Sequence, residues 1–129
     1  MERTVTAVRE EGLRCRVRAG AFDLVVDEPE SVGGTDRGPQ PTELFLASVA
    51  SCFTTALSWS AGKRGLDPSS IEVETTGVYD GPRFSTVRIT ARVGGLDAEE
   101  VATLVTAAER VCYVTNTLRR APEIEIDWE

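Results

Sequence analysis

Two of the three cysteines carry the first chemical possibility in this chain. Cys52 lies inside Pro41-Thr42-Glu43-Leu44-Phe45-Leu46-Ala47-Ser48-Val49-Ala50-Ser51-Cys52-Phe53, and Cys112 inside Glu109-Arg110-Val111-Cys112-Tyr113-Val114-Thr115-Asn116. Both segments read as helices, and two helical thiols brought within disulfide reach would form a redox pair. The thiolate of one would attack the O–O bond of a peroxide and become a sulfenic acid. The other would condense with it to a disulfide, and an external thiol would reduce that. The attacking thiol needs a lowered pKa, hence a nearby cation or helix N-terminus. Cys52 in mid-helix and Cys112 near the end of its helix gain little from their own dipoles, so an arginine is expected to help. The same residues also fit two buried, inert thiols, since free cysteine is among the most buried residue types. Cys15 alternates with Arg14, Arg16 and Arg18 on a strand and reads as an inward-facing structural residue.

Composition limits the alternatives. The chain contains no histidine, which excludes Ser-His-Asp and Cys-His catalysis and imidazole-based zinc sites. Three widely separated cysteines do not make a zinc-finger spacing, so no metal or bound cofactor is expected. Net charge is -7 and the pI about 4.7; nucleic-acid backbones call for a basic face, so none is expected as a partner. The 129 residues suit a single domain, 1–129, with an ordinary 41% hydrophobic and 27% charged composition. The longest apolar stretch, 44–61, is interrupted by Ser48, Ser51, Thr54, Thr55, Ser58 and Ser60. It reads as a core helix rather than a membrane span. With no apolar leader behind Met1-Glu2-Arg3-Thr4, a cytoplasmic location is the expectation.

The elements that must hold these thiols follow from periodicity. Alternation predicts strands over 3–10, 13–18 and 21–26, then a glycine-rich loop over 30–40. Pro41 opens a helix that runs to about Arg64, with Glu43 in its first turn and Gly65 after its end. This helix is apolar or small on nearly every side, so it must be packed on more than one face. Strands over 71–79 and 84–93 form a hairpin. Asp97 and Glu100 resemble a capping box that opens a helix through Cys112. A short helical turn covers 113–120, and Ile124, Ile126 and Trp128 alternate as a closing strand. The predicted order is βββ-α-ββ-α-β, an α+β architecture of antiparallel sheets and helices.

With both cysteine segments in view, the chain resembles the OsmC/Ohr family of organic hydroperoxide resistance proteins, as a divergent OsmC-like branch. The likeness spans Gly38-Pro39-Gln40-Pro41, the run 43–53 and Val111-Cys112-Tyr113-Val114-Thr115-Asn116. The resemblance implies an intertwined homodimer in which sheets wrap two long central helices, with active sites at the subunit interface. It implies a peroxidatic Cys52 and a resolving Cys112, reducing organic hydroperoxides in oxidative stress defence. An external dithiol such as a dihydrolipoyl group would be the reductant. Family peroxidases carry a glutamate directly after the helix-opening proline; here Thr42 stands there and Glu43 follows. They place an arginine in the first β-turn, here Glu10-Glu11-Gly12, so Arg9, Arg14 and Arg37 are the candidate cations. Tyr113 replaces the usual proline after the second cysteine. The alternative is a non-peroxidase dimer of the same fold that binds an apolar ligand or senses redox state through the same cysteine pocket.

Overall fold

The computed structural model describes all 129 residues, in two compact units, Met1–Phe45 and Leu46–Glu129. The first is a three-stranded antiparallel meander of β1 (Val5–Glu11), β2 (Arg14–Ala19) and β3 (Phe22–Val26). Cross-strand pairing aligns Val5 with Ala19, Ala7 with Val17 and Arg9 with Cys15. Ala19, Val17 and Cys15 in turn pair with Phe22, Leu24 and Val26. Paired residues share a face, so one side of this sheet is apolar with Arg9 at its edge. A bulge between Arg9 and Glu11 shifts the register before the turn.

The loop after β3 is tied down rather than loose. Asp27, only 1% exposed, ends the Val25-Val26 run. Its carboxylate accepts from the amides of Glu28 (2.8 Å) and Arg37 (3.2 Å), and from the Thr35 amide (3.3 Å) and hydroxyl (2.5 Å). The Thr35 hydroxyl bond, offset in part by burial and assisted by the three amides, lowers the Asp27 pKa to about 2. Gly38 passes so close to β3 that a Cβ there would lie 2.1 Å from the Val25 carbonyl oxygen. Glycine at this position is therefore a packing requirement.

The helix α1 (Pro41–Lys63) begins in the first unit and continues through the second. In the second unit β4 (Ser70–Asp80) and β5 (Arg83–Gly94) form one long antiparallel hairpin. Ile71, Val73, Ile89, Ala91 and Val93 alternate onto its inner face and pack on the buried cluster of Phe53, Ala56, Leu57, Ala61, Leu104, Ala108 and Cys112. Glu72, Glu74 and Arg92 occupy the outer face, where the arginine reaches both acids. The predicted capping box is formed: Asp97 accepts from the Glu100 amide at 2.8 Å and Glu100 accepts from the Asp97 amide at 3.1 Å, opening α2 (Ala98–Val111). A second short helix, α3 (Tyr113–Arg119), follows directly.

The closing strand expected at 124–128 is not formed. Residues 121–129 take no regular structure, and Ile124, Ile126 and Trp128 are exposed. Alternation makes a segment competent for a sheet, but a strand exists only where a neighbour supplies its hydrogen bonds. The order within one chain is therefore βββ-α-ββ-α-α.

The Asp27 cluster has a defined pH signature. Its folded pKa lies below the unfolded value, so its stabilisation is complete above about pH 4 and is lost as pH falls toward 2. Asp27→Asn should melt at a lower temperature than the parent at pH 7, with the gap narrowing between pH 4 and 2. Thermal unfolding across that range tests this, and a gap independent of pH would contradict it. Gly38→Ala should cost about 1–3 kcal/mol in denaturant unfolding, because the added methyl meets backbone.

Candidate functional site

The two segments that carry Cys52 and Cys112 meet in the second unit. Cys52 packs, partly buried, against the cluster that contains the fully buried Cys112. Both thiols are free, and Cys52 is near enough to Cys112 to contribute to lowering its pKa. Helical sequence spacing gave no reason to prefer contact over separation. The contact arises because α1 and the α2–α3 junction share one apolar core beneath β4 and β5.

Cys112 does not lie inside a helix. It is the residue at which α2 stops and α3 starts, with φ -74° and ψ 110°. Its amide still donates to Ala108 at 3.0 Å, and its carbonyl accepts from the Asn116 amide at 3.1 Å and the Thr115 hydroxyl at 3.4 Å. The Asn116 side chain donates to the Arg110 carbonyl at 3.2 Å, satisfying the frayed end of α2. Such side-chain bonds compete with a continuous helix and favour the break.

The break changes the electrostatics expected for Cys112. Burial pushes its thiol pKa up, but the Thr115 hydroxyl, the Thr115 amide, the Cys52 thiol and the Val114 amide together bring it below the ordinary value. The sulfur makes no capping hydrogen bond to α3. Cys112 is both the residue that ends α2 and the one that precedes α3, a position the reading of one helix running through Cys112 did not give it.

The other candidate residues all belong to the first unit and have partners there. Arg14, on the polar sheet face, donates to the Thr35 hydroxyl at 3.0 Å and pairs with Glu10 at 3.5 Å and Glu11 at 3.4 Å. Arg16 also reaches Glu10, at 3.2 Å. Arg37 is fixed through its amide by Asp27. Glu43 accepts from the Gln40 amide at 2.9 Å, which makes it the cap of the helix entrance. Arg9 donates from Nε to the Gly12 carbonyl at 2.9 Å and makes no ion pair. It is the candidate that cross-strand pairing puts on the apolar face, opposite Cys15. Asp27, Thr35 and Thr115 were not singled out by sequence reasoning. A lone acid ending an apolar strand was the only signal for the first, and short polar residues following Cys112 the only one for the last.

Known proteins were compared with this arrangement. The family model described as "OsmC: OsmC-like protein" matches residues 34–127, a span that includes both interacting cysteines. The chain belongs to the OsmC-like family. Among relatives of this OsmC-like chain, an organic hydroperoxide resistance protein of Xanthomonas axonopodis pv. citri is 31% identical over 104 residues, covering 77% of this chain and 73% of that protein. Peroxiredoxin OsmC of Escherichia coli is 30% identical over 100 residues, covering 73% and 68%. The crystal structure of the organic hydroperoxide resistance protein OhrB of Bacillus subtilis superposes with a TM-score of 0.65 at 26% identity, covering 94% of this chain and 93% of that one. An OsmC-like protein of Mycoplasma pneumoniae reaches 0.82 at 16% identity, covering 94% and 89%, which is likeness of fold.

Thr115→Val keeps the shape of the residue and deletes its hydroxyl donor. In a Cys15→Ser background, the thiolate absorbance near 240 nm should then rise at higher pH than in the parent. An unchanged titration would remove Thr115 from the account of the Cys112 pKa.

Proposed function

We propose that this OsmC-like chain is a thiol peroxidase for organic hydroperoxides, with Cys52 the peroxidatic and Cys112 the resolving residue. The observation that carries this reading is the packing of Cys52 against the apolar core cluster that contains Cys112. The partly exposed sulfur is the one a peroxide can reach. Cys52, as thiolate, attacks the terminal peroxide oxygen; the O–O bond breaks, and the departing alkoxide takes a proton to become an alcohol. The Cys112 thiolate then attacks the Cys52 sulfenic acid, forming a disulfide and displacing hydroxide, which leaves as water. An external dithiol, of the dihydrolipoyl kind, restores both thiols. The relatives named for organic hydroperoxide resistance and as a peroxiredoxin support the same assignment.

The working form is a homodimer. Only 33% of the most apolar 18-residue window of α1 is buried within one chain, although its length and composition would suffice to cross a membrane. Phe22, Leu24, Ile124, Ile126 and Trp128 are exposed as well. A second copy that laid its own helix, apolar sheet face and C-terminal segment against these would enclose them. In that assembly Arg9 is the cation best placed to enter an apolar site, since Arg14 already holds Thr35 and two acids. Action in the cytoplasm against oxidative stress fits a thiol pair that must be kept reduced.

Purified protein should consume an alkyl hydroperoxide with dihydrolipoamide as reductant. Cys52→Ser should be inactive, and Cys112→Ser should form no disulfide within the chain after peroxide. Arg9→Ala should lower kcat/KM for the peroxide by roughly 10- to 100-fold, the usual cost of losing a positioned charge. A parent protein that turns over no hydroperoxide with any dithiol, yet is stabilised by apolar ligands, would replace this reading with a binding role. Light scattering should return twice the 14.0 kDa chain mass.

A further inference from the structure

The two sulfurs of the pair differ in surroundings, and that difference bears on the half of the cycle that returns the protein to its reduced form. Cys112 is 0% exposed and lies within the core formed with Phe53, Ala56, Leu57 and Leu104. Cys52 is only partly buried, on the border of that core. Thiol–disulfide exchange is an in-line displacement: the incoming sulfur approaches one sulfur of the disulfide from the side opposite the other. Approach to Cys112 would have to pass through packed side chains, whereas Cys52 lies at their edge. The leaving sulfur also needs somewhere to place its charge. At Cys112 burial opposes the charged form, but the neighbouring Thr115 and Val114 at the start of α3 favour it and the thiol pKa is lowered on balance.

Resting on the peroxidase reading above, we propose that the Cys52–Cys112 disulfide is polarised, so that the reductant attacks Cys52 and Cys112 is always the leaving thiolate. In the first step a reductant thiolate forms a new S–S bond to Cys52, and the electron pair of the broken bond remains on Cys112. In the second step the other thiol of the reductant, after losing its proton, attacks its own sulfur in the mixed disulfide. The reductant closes to a cyclic disulfide, and Cys52 leaves as a thiolate that is protonated. The dithiol is oxidised by two electrons and the protein disulfide is reduced by two. The same surroundings that favour charge on Cys112 as it leaves also favour it when Cys112 attacks the next sulfenic acid. The dithiol need reach only one sulfur, the outer one, and its second thiol must fold back on the first.

The test separates this inference from the peroxidase reading, because the disulfide is made without peroxide. Protein in a Cys15→Ser background is oxidised with diamide and mixed briefly with excess 2-mercaptoethanol. It is then quenched with acid, alkylated with iodoacetamide and mapped by mass spectrometry. The mercaptoethanol adduct should sit on Cys52 and the alkyl group on Cys112, by about tenfold or more over the reverse, as expected when both access and leaving-group pKa favour one direction. As a second readout, the lone thiol in Cys112→Ser should react readily with an aromatic disulfide reagent. The lone thiol in Cys52→Ser should react comparably only after denaturation. Adducts divided evenly, adducts on Cys112, or a failure of diamide to join the two cysteines in folded protein would overturn the proposal. Correct polarity without hydroperoxide turnover would instead leave it standing and remove the peroxidase reading.

Discussion

The structure depends on enclosing one helix. Pro41–Lys63 is apolar or small around nearly its whole circumference, so no single face can be assigned to water. Its serines and threonines do not make it polar. Ser51 returns its hydroxyl to the Ser48 carbonyl at 3.3 Å and Thr54 to Ala50 at 2.8 Å, so these groups are satisfied within the helix and can be buried. The consequence in this chain is a core built on Phe53, Ala56, Leu57 and Ala61, covered by the inner face of β4 and β5 and by α2. Cys52 comes one residue before Phe53, which puts its sulfur on the border of that core. The position of the thiol is thus a by-product of the helix's need for cover. The remaining apolar surface, Trp59 among it, stays open in one chain, with Lys63 placed over the ring at 5.2 Å.

The second sulfur is set by a local conflict rather than by hydrophobicity. The apolar period of Val101, Leu104, Val105 and Ala108 would carry α2 straight through Cys112. Instead the segment 113–117 supplies β-branched residues and an asparagine, which favour local side-chain bonds over another helical turn. Thr115 and Asn116 take up the carbonyls of Cys112 and Arg110, and the backbone rotates at Cys112 to start α3. A helix interior offers a thiol no free N–H groups, because each is already bonded four residues back. The junction does offer them. At this junction a core cysteine, whose pKa burial alone would raise, has it lowered by its neighbours.

Much of this was legible from residue patterns, and the exceptions have physical causes. Alternation located five strands, and Pro41 and the Asp97–Glu100 box located two helix starts, because each is a local rule. The separate helical turn over 113–120 was anticipated, but a 3.6-residue period identifies a face and not the change in ψ at Cys112 that divides α2 from α3. The side of the sheet that Arg9 occupies depends on a bulge two residues away, which alternation over 3–10 does not reveal. Asp27 read as the polar end of a strand, yet its carboxylate organises Thr35 and Arg37, eight and ten residues later. The segment 124–128 has the right alternation, but pairing is a property of two strands, and neither sheet takes it as a neighbour.

The absence of histidine gives these details their weight. In most cysteine enzymes an imidazole can take a thiol proton near neutral pH. Here the acid–base groups with comparable range are the thiols themselves. Burial raises the Cys112 pKa, and its neighbours at the helix junction together outweigh that and favour its charged form. Arginine can add a field but cannot accept a proton. Proton handling, resolution and reduction must then all pass through the same two atoms, so the fold's contribution is to make those atoms unlike. It does so by placing one inside the core at a broken helix and the other at the core's edge on an unbroken one.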